Sequence, residues 1–157
     1  MSFFLQNMKI IGTQFKGLGN YGDFNFMINT KIENGERESL FLYNDNEECF
    51  RLKSFNKGKG NAIIRTYNQY NPRYNECPYS AGIPTGPFKN RGYKSLSDEV
   101  KLVIDESFEN IHKLIDKHKY STIYYSSYSN GKLGMSLFRV SDDVIDYITK
   151  KIFQLSL

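Results

Sequence analysis

Leu40-Phe41-Leu42-Tyr43-Asn44-Asp45-Asn46 is a short apolar run that stops abruptly on three polar residues. A run of this length, closed by Asn and Asp, reads as a β-strand ending in a turn. In open α/β sheets ligands bind beyond the carboxyl ends of the strands, so Asn44, Asp45 and Asn46 stand where a ligand would lie. An Asn side chain both donates and accepts, and it can read a base or ribose edge. The same three residues also suit an Asx turn.

Upstream of this strand, Phe24, Phe26, Ile28, Thr30 and Ile32 alternate with smaller or polar residues, the period-two pattern of a half-buried strand. Asn34-Gly35 lies between the two runs, and Asn-Gly is the commonest pair in tight hairpin turns. An N-terminal β-hairpin is therefore expected. Downstream, residues 44–97 hold all four Pro, most of the Asn and Arg and five of the twelve Gly, and show no sustained helical period. Such long ordered loops are often functional. Ser97 then caps a helix with Asp98 and Glu99 in its first turn and an apolar stripe running from Val100 to Ile115. Thr122 to Ser126 reads as a strand and Leu137 to Val140 as another, before Ser141 opens a last helix with Val144, Ile145, Ile148 and Ile152 on its inner face. Strands and helices mixed in this order predict one α/β (α+β) domain over residues 1–157, its sheet flanked by helices.

The 157 residues suit a single core, and 12 Phe with 12 Tyr supply ample apolar bulk, which excludes a disordered chain. No apolar stretch approaches the roughly 20 residues that cross a bilayer. Met1 to Ile11 lacks the basic start and apolar run of a signal peptide. Cys49 and Cys77 have no CxxC spacing and read as reduced thiols, so a cytoplasmic protein without a membrane partner is expected.

The net charge is +4, but it is unevenly spread. Residues 49–97 carry nine basic side chains against one acid, Glu76, leaving −4 on the rest of the chain. A basic segment attracts phosphate, nucleotide, nucleic acid or an acidic partner, although it can also be a solvated face.

Gly17-Leu18-Gly19-Asn20-Tyr21-Gly22 matches G-x-G-x-x-G literally. The dinucleotide fingerprint needs a strand before it and a helix after it, and the alternating residues that follow argue for a glycine-rich turn instead. His112 and His118 fall on different faces of their helix, with no Cys or carboxylate at ligand spacing, so no metal site is expected. No Ser, His and acid set or nucleophile elbow is present.

Three further segments can carry chemistry. In Lys57-Gly58-Lys59-Gly60-Asn61-Ala62 two glycines let the backbone approach an anion, and Arg65 can then clamp a phosphate or pair with Asp142 or Asp143 of the last helix. Ala81-Gly82-Ile83-Pro84-Thr85-Gly86-Pro87 describes a fixed loop passing close to another backbone or a ligand. Ser126-Ser127 through Gly131-Lys132-Leu133-Gly134 again follows a strand.

Taken in order, these segments resemble a macrodomain-like protein, in particular the phage-associated macro-like group. The resemblance covers roughly residues 38–155. It rests on the strand ending Leu40 to Asn46, the glycine segment Lys57 to Ala62, the Ile-Pro-Thr loop Ile83 to Gly86 and the late loop Gly131 to Gly134. It implies a mixed sheet between helices and ADP-ribose or a related nucleotide across the loops at the sheet's edge. Asn44 and Asn46 would sit near the base or distal ribose, Gly58, Gly60 and Asn61 at the diphosphate or ribose, and Thr85, Gly86 and Gly134 in a second phosphate-facing loop. The late loop lacks the longer glycine run of typical macrodomains, which leaves room for a cyclic or modified signalling nucleotide.

The function expected from the resemblance is binding without turnover and without a cofactor: sequestration of a host signalling nucleotide by a phage counter-defence protein, in the host cytoplasm. A hydrolase of ADP-ribose-linked or nucleotide substrates is the alternative, with Asp45 positioning water. A basic nucleic-acid-binding domain is the third reading, with Tyr67, Tyr70 and Tyr74 as stacking platforms. Oligomeric state has no signature in the sequence.

Overall fold

In the computed structural model residues 8–156 are described; residues 1–7, part of the stretch considered above for a leader, and Leu157 lie outside them. Four strands carry the sheet: Lys9–Thr13 (β1), Ser39–Asp45 (β2), Ser80–Pro84 (β3) and Thr122–Ser126 (β4). Their order is β1-β4-β2-β3, and every pairing among them is parallel. Helices Phe24–Glu33 (α1), Glu47–Arg51 (α2), Asp98–His118 (α3) and Asp142–Gln154 (α4), with a 3-10 segment Gly60–Tyr67, fill the connections.

The alternation along β2 explains the layers. Leu40 and Leu42 face a core built with α3 and α4. Phe41 and Tyr43 face the opposite core, with Phe24 and Ile28 of α1 and Ile64 of the 3-10 segment. All four β2 side chains are buried, and a parallel strand covered on both faces needs such a continuous apolar run. Each fully buried side chain of this size contributes about 1.5–3 kcal/mol. On the second face Phe41 stacks on Tyr124 at a ring separation of 4.7 Å, and Phe24 meets Phe41 edge-on.

The expected N-terminal hairpin is corrected: residues 24–33 are helical. The apolar residues of that stretch satisfy two periods at once. Phe24, Met27, Ile28 and Ile32 recur at helical spacing and pack against the second core, whereas Phe26 is left exposed. Asp23 decides for the helix, because its carboxylate caps it by accepting from the Phe26 amide at 3.2 Å. Asn34-Gly35 is then the helix terminus. Gly35, at φ +69°, donates to Ile32 and Glu36 donates to Lys31, a paired closure that needs the same positive φ as a hairpin turn. With a helix between them, β1 and β2 are joined by a crossover, which makes the sheet parallel among the described strands where a mixed one was expected.

Other elements stand close to the expected places. Ser97 Oγ accepts from the Val100 amide at the start of α3. Ser141 precedes α4, but its hydroxyl donates to Asp143 and makes no cap bond. Residues 137–140, expected as a strand, are coil, with the Arg139 amide donating to the Arg91 carbonyl.

Candidate functional site

All four strands point their carboxyl ends to one edge of the sheet, and the loops leaving β2, β3 and β4 enclose a cleft of about 380 Å³ there. The volume lies in the range of small-molecule sites. Asn44, Asp45 and Asn46 form its floor, Gly58, Asn61 and Arg65 one side, and Thr85 another. Gly60 borders it, with the Ser136 hydroxyl and Leu137 about 4 Å from where a Cβ would stand. The Asn44 side-chain Nδ2 donates to the Gly134 carbonyl at 2.8 Å. Three of the four segments singled out in the sequence thus supply lining residues, whereas Gly60, Gly86 and Gly134 are not among them and the Gly131 to Gly134 loop meets the site only through its bond to Asn44.

What each of these side chains does is more particular. Arg65 is buried and donates through Nε (3.1 Å) and Nη2 (2.6 Å) to one oxygen of Asp45, and through Nη1 (3.1 Å) to the Asn56 carbonyl. Its acid is thus Asp45, twenty residues upstream, and not Asp142 or Asp143 of α4. Burial pushes the Asp45 carboxyl above its ordinary range, with the Arg65 guanidinium opposing the rise. Gly58 makes room for this guanidinium, since a Cβ there would lie 2.8 Å from Nη1.

Asn61 accepts from the Asn44 amide with its side-chain oxygen, which pins the 3-10 segment to the end of β2. Asn46 accepts from the Cys49 amide at 2.8 Å and caps α2, the local turn role, while its side-chain NH2 has no partner among the described residues. Thr85 is buried with its hydroxyl on the Asp45 carbonyl, and the Gly86 carbonyl accepts from Glu47. Gly86 itself, at φ +138°, lies against the Gly92 backbone, where any Cβ would come within 2.4 Å. Thr85 and Gly86 therefore hold the β3 loop onto the end of β2.

The opposite wall carries no motif in the sequence: Phe88 and Arg91 come from the β3–α3 loop, and Met135, Ser136, Leu137 and Phe138 from the β4–α4 loop. Arg91 is one of the nine cations of residues 49–97, and Leu137 and Phe138 belong to the stretch expected as a strand. Phe88 and Phe138 meet edge-on with ring centroids 6.3 Å apart, and Leu137 is 67% exposed beside them. Lys59 and Arg91 reach the cleft with no ion-pair partner among the described residues. Among the described residues nine of the eleven exposed large apolar side chains lie in connections that follow the strands or in the first turn of α1.

Gly17 to Gly22 has the context that the sequence reading denied it, a strand before and a helix after. Yet the Asp23 carboxylate already takes the Gly19 and Phe26 amides, at 2.9 and 3.2 Å. An incoming phosphate would meet that negative charge in place of free donors. The tyrosines proposed as stacking platforms are also engaged. Tyr67 is buried with its hydroxyl donating to Asn29, Tyr74 packs edge-on against Tyr67, and Tyr70 has Lys53 over its ring.

Among the described residues no three His, Cys, Asp or Glu side chains gather to hold a metal ion, and no helix is long and apolar enough to cross a membrane. Fold and cleft define the class: a layered α/β protein, parallel in its described strands, with a ligand-sized cleft at the carboxyl edge. Comparison of the chain with protein-family models, curated proteins and solved structures returned no match, so the cleft's own chemistry has to carry the functional reading.

Proposed function

We propose that this protein binds a nucleotide of the ADP-ribose type, or a related signalling nucleotide, in the carboxyl-edge cleft. The observation that carries the reading is the mixed lining of one cleft: Lys59 and Arg91, without ion-pair partners among the described residues, line it together with the paired rings of Phe88 and Phe138, over a floor of Asn and backbone groups. Cations suit phosphate oxygens, aromatic faces suit a base, and amide groups suit ribose hydroxyls. The resemblance to phage-associated macro-like proteins agrees with this ligand class, and with sequestration of a host nucleotide as a counter-defence role.

Binding without turnover is favoured by the state of Asp45. It is the one carboxylate lining the cleft among the described residues, and one of its oxygens is held by two Arg65 N–H groups. A carboxylate so engaged serves poorly as a base for water. Mass spectrometry of small molecules released by heating the purified protein tests both points. An intact nucleotide supports sequestration, whereas a product-like fragment supports hydrolysis. For a matching pure nucleotide at a hundredfold excess over Kd, stabilisation of about 2.7 kcal/mol is expected. No thermal shift with any mono-, di- or cyclic nucleotide at millimolar levels would remove the proposal.

A further inference from the structure

Among the described residues three non-glycine residues have positive φ: Lys53, Lys119 and Arg91. Lys53 directly follows the C-cap of α2 and Lys119 is the C-cap of α3, where a left-handed residue closes a helix. Arg91, at φ +52°, has no helix to close. It ends a turn in which its amide donates to Phe88 at 3.2 Å, and its carbonyl accepts from Arg139 at 2.8 Å. The next residue, Gly92, lies against two backbones: a Cβ on it would meet the Arg139 carbonyl oxygen at 2.7 Å, and a Cβ on Gly86 would meet the Gly92 backbone at 2.4 Å. A strained residue is thus held from both flanks, and its guanidinium has no ion-pair partner among the described residues while it lines the cleft. Phe88, on the same turn, is 66% exposed and presents its ring beside Phe138. Groups fixed before binding lose little freedom when a ligand arrives.

We infer that the β3–α3 loop is the specificity element of the cleft: Arg91, and not Arg65, takes a phosphate-type anion, and Phe88 with Phe138 takes the flat face of a base. This rests on the nucleotide reading above and narrows it. The preferred ligand carries a base and a phosphate together and binds more tightly than either piece alone. Arg65 has its donors on Asp45 and Asn56 and acts as a positioning residue that shapes the floor.

Calorimetric titration with ADP-ribose, adenosine and pyrophosphate, on the unsubstituted protein, Arg91→Gly and Phe88→Ala, tests the inference. Glycine relaxes φ +52°, so Arg91→Gly should keep or raise the melting temperature. It should weaken ADP-ribose and pyrophosphate about tenfold or more, the low end for a hydrogen bond to a charged group, and leave adenosine unchanged. Phe88→Ala should weaken ADP-ribose and adenosine about fivefold or more, the low end for base stacking, and spare pyrophosphate. If both folded variants bind ADP-ribose as the unsubstituted protein does, the loop's role is overturned while the nucleotide reading stands. If the unsubstituted protein binds none of the three probes, the inference is overturned, and the nucleotide reading falls with it only if the thermal-shift series is blank as well.

Discussion

Two glycine-rich loops leave the carboxyl edge of the same sheet and end differently. In the β1–α1 loop, Gly17, Gly19 and Gly22 all take positive φ, and the chain closes on Asp23, whose carboxylate consumes the donors at the helix start. In the β2 connection, Gly58 lets the Arg65 guanidinium pass inward to Asp45, which buries one charge pair and leaves Lys59 outside, facing the cleft. Glycine content is alike in the two loops, so it does not by itself make an anion site. What separates them is where the protein has already spent its own charges.

The largest effect is expected from Arg65→Ala. Asp45 would be left buried without its partner, a change that typically costs about 3–5 kcal/mol, measured here by urea unfolding. Removing both partners with Asp45→Asn and Arg65→Met should cost less than the sum of the singles. A cost for Arg65→Ala under about 1 kcal/mol, with nucleotide affinity lost, would mean that the guanidinium serves the ligand directly.

Gly22→Ala probes the other loop. A Cβ there meets the Gln14 carbonyl at 2.1 Å on a backbone with φ +96°, so strain and clash together should cost about 2–4 kcal/mol. Gly19→Ala, with open space around it, should cost only about 1 kcal/mol. Equal melting temperatures for these two variants would show that the loop is not packed as described. Asp23→Ala should cost about 1 kcal/mol, the usual value of an N-cap, again read by urea unfolding. The smallest expected effect is the salt dependence of nucleotide affinity. With two unpaired cations in reach, log Kd should change with log salt with a slope of about one to two, because each phosphate contact releases roughly one counterion. A slope several times steeper, with oligonucleotides preferred, would point to the broad basic face.

Much of this was legible in the residues. The continuous apolar run of β2, the β-branched and aromatic β4 segment, the long helical stripe of α3 and the inner face of α4 fold as read. Residues 24–33 misled because Phe24 and Ile28 belong to both the two-residue and the helical spacing, and only the capping bond of Asp23 separates them. β1 escaped notice because five residues with an exposed lysine make a weak signal. The strand-end polar residues were legible because chemistry at a sheet's carboxyl edge follows from topology. Phe88, Arg91 and the residues from Met135 to Phe138 were not, since coil has no period, and their meeting depends on Gly86 and Gly92 letting two backbones touch. The partner of Arg65 was missed for a related reason: the pairing runs between a strand end and a 3-10 turn, which no spacing rule connects.

The order β1-β4-β2-β3 also sets a timetable. Lys9 finds its neighbour Thr122 only after about 110 further residues have been made. At roughly 5–20 residues per second of synthesis, β1 waits on the order of 5–20 s for the strand that will hold it. The wall of the cleft that follows β4 arrives later still. Until then β2 is flanked by β3 alone and shows a bare apolar edge, a template on which a second nascent chain can pair. Crowded translation of this protein should therefore favour strand-paired aggregates, and slower growth at lower temperature should raise the soluble yield.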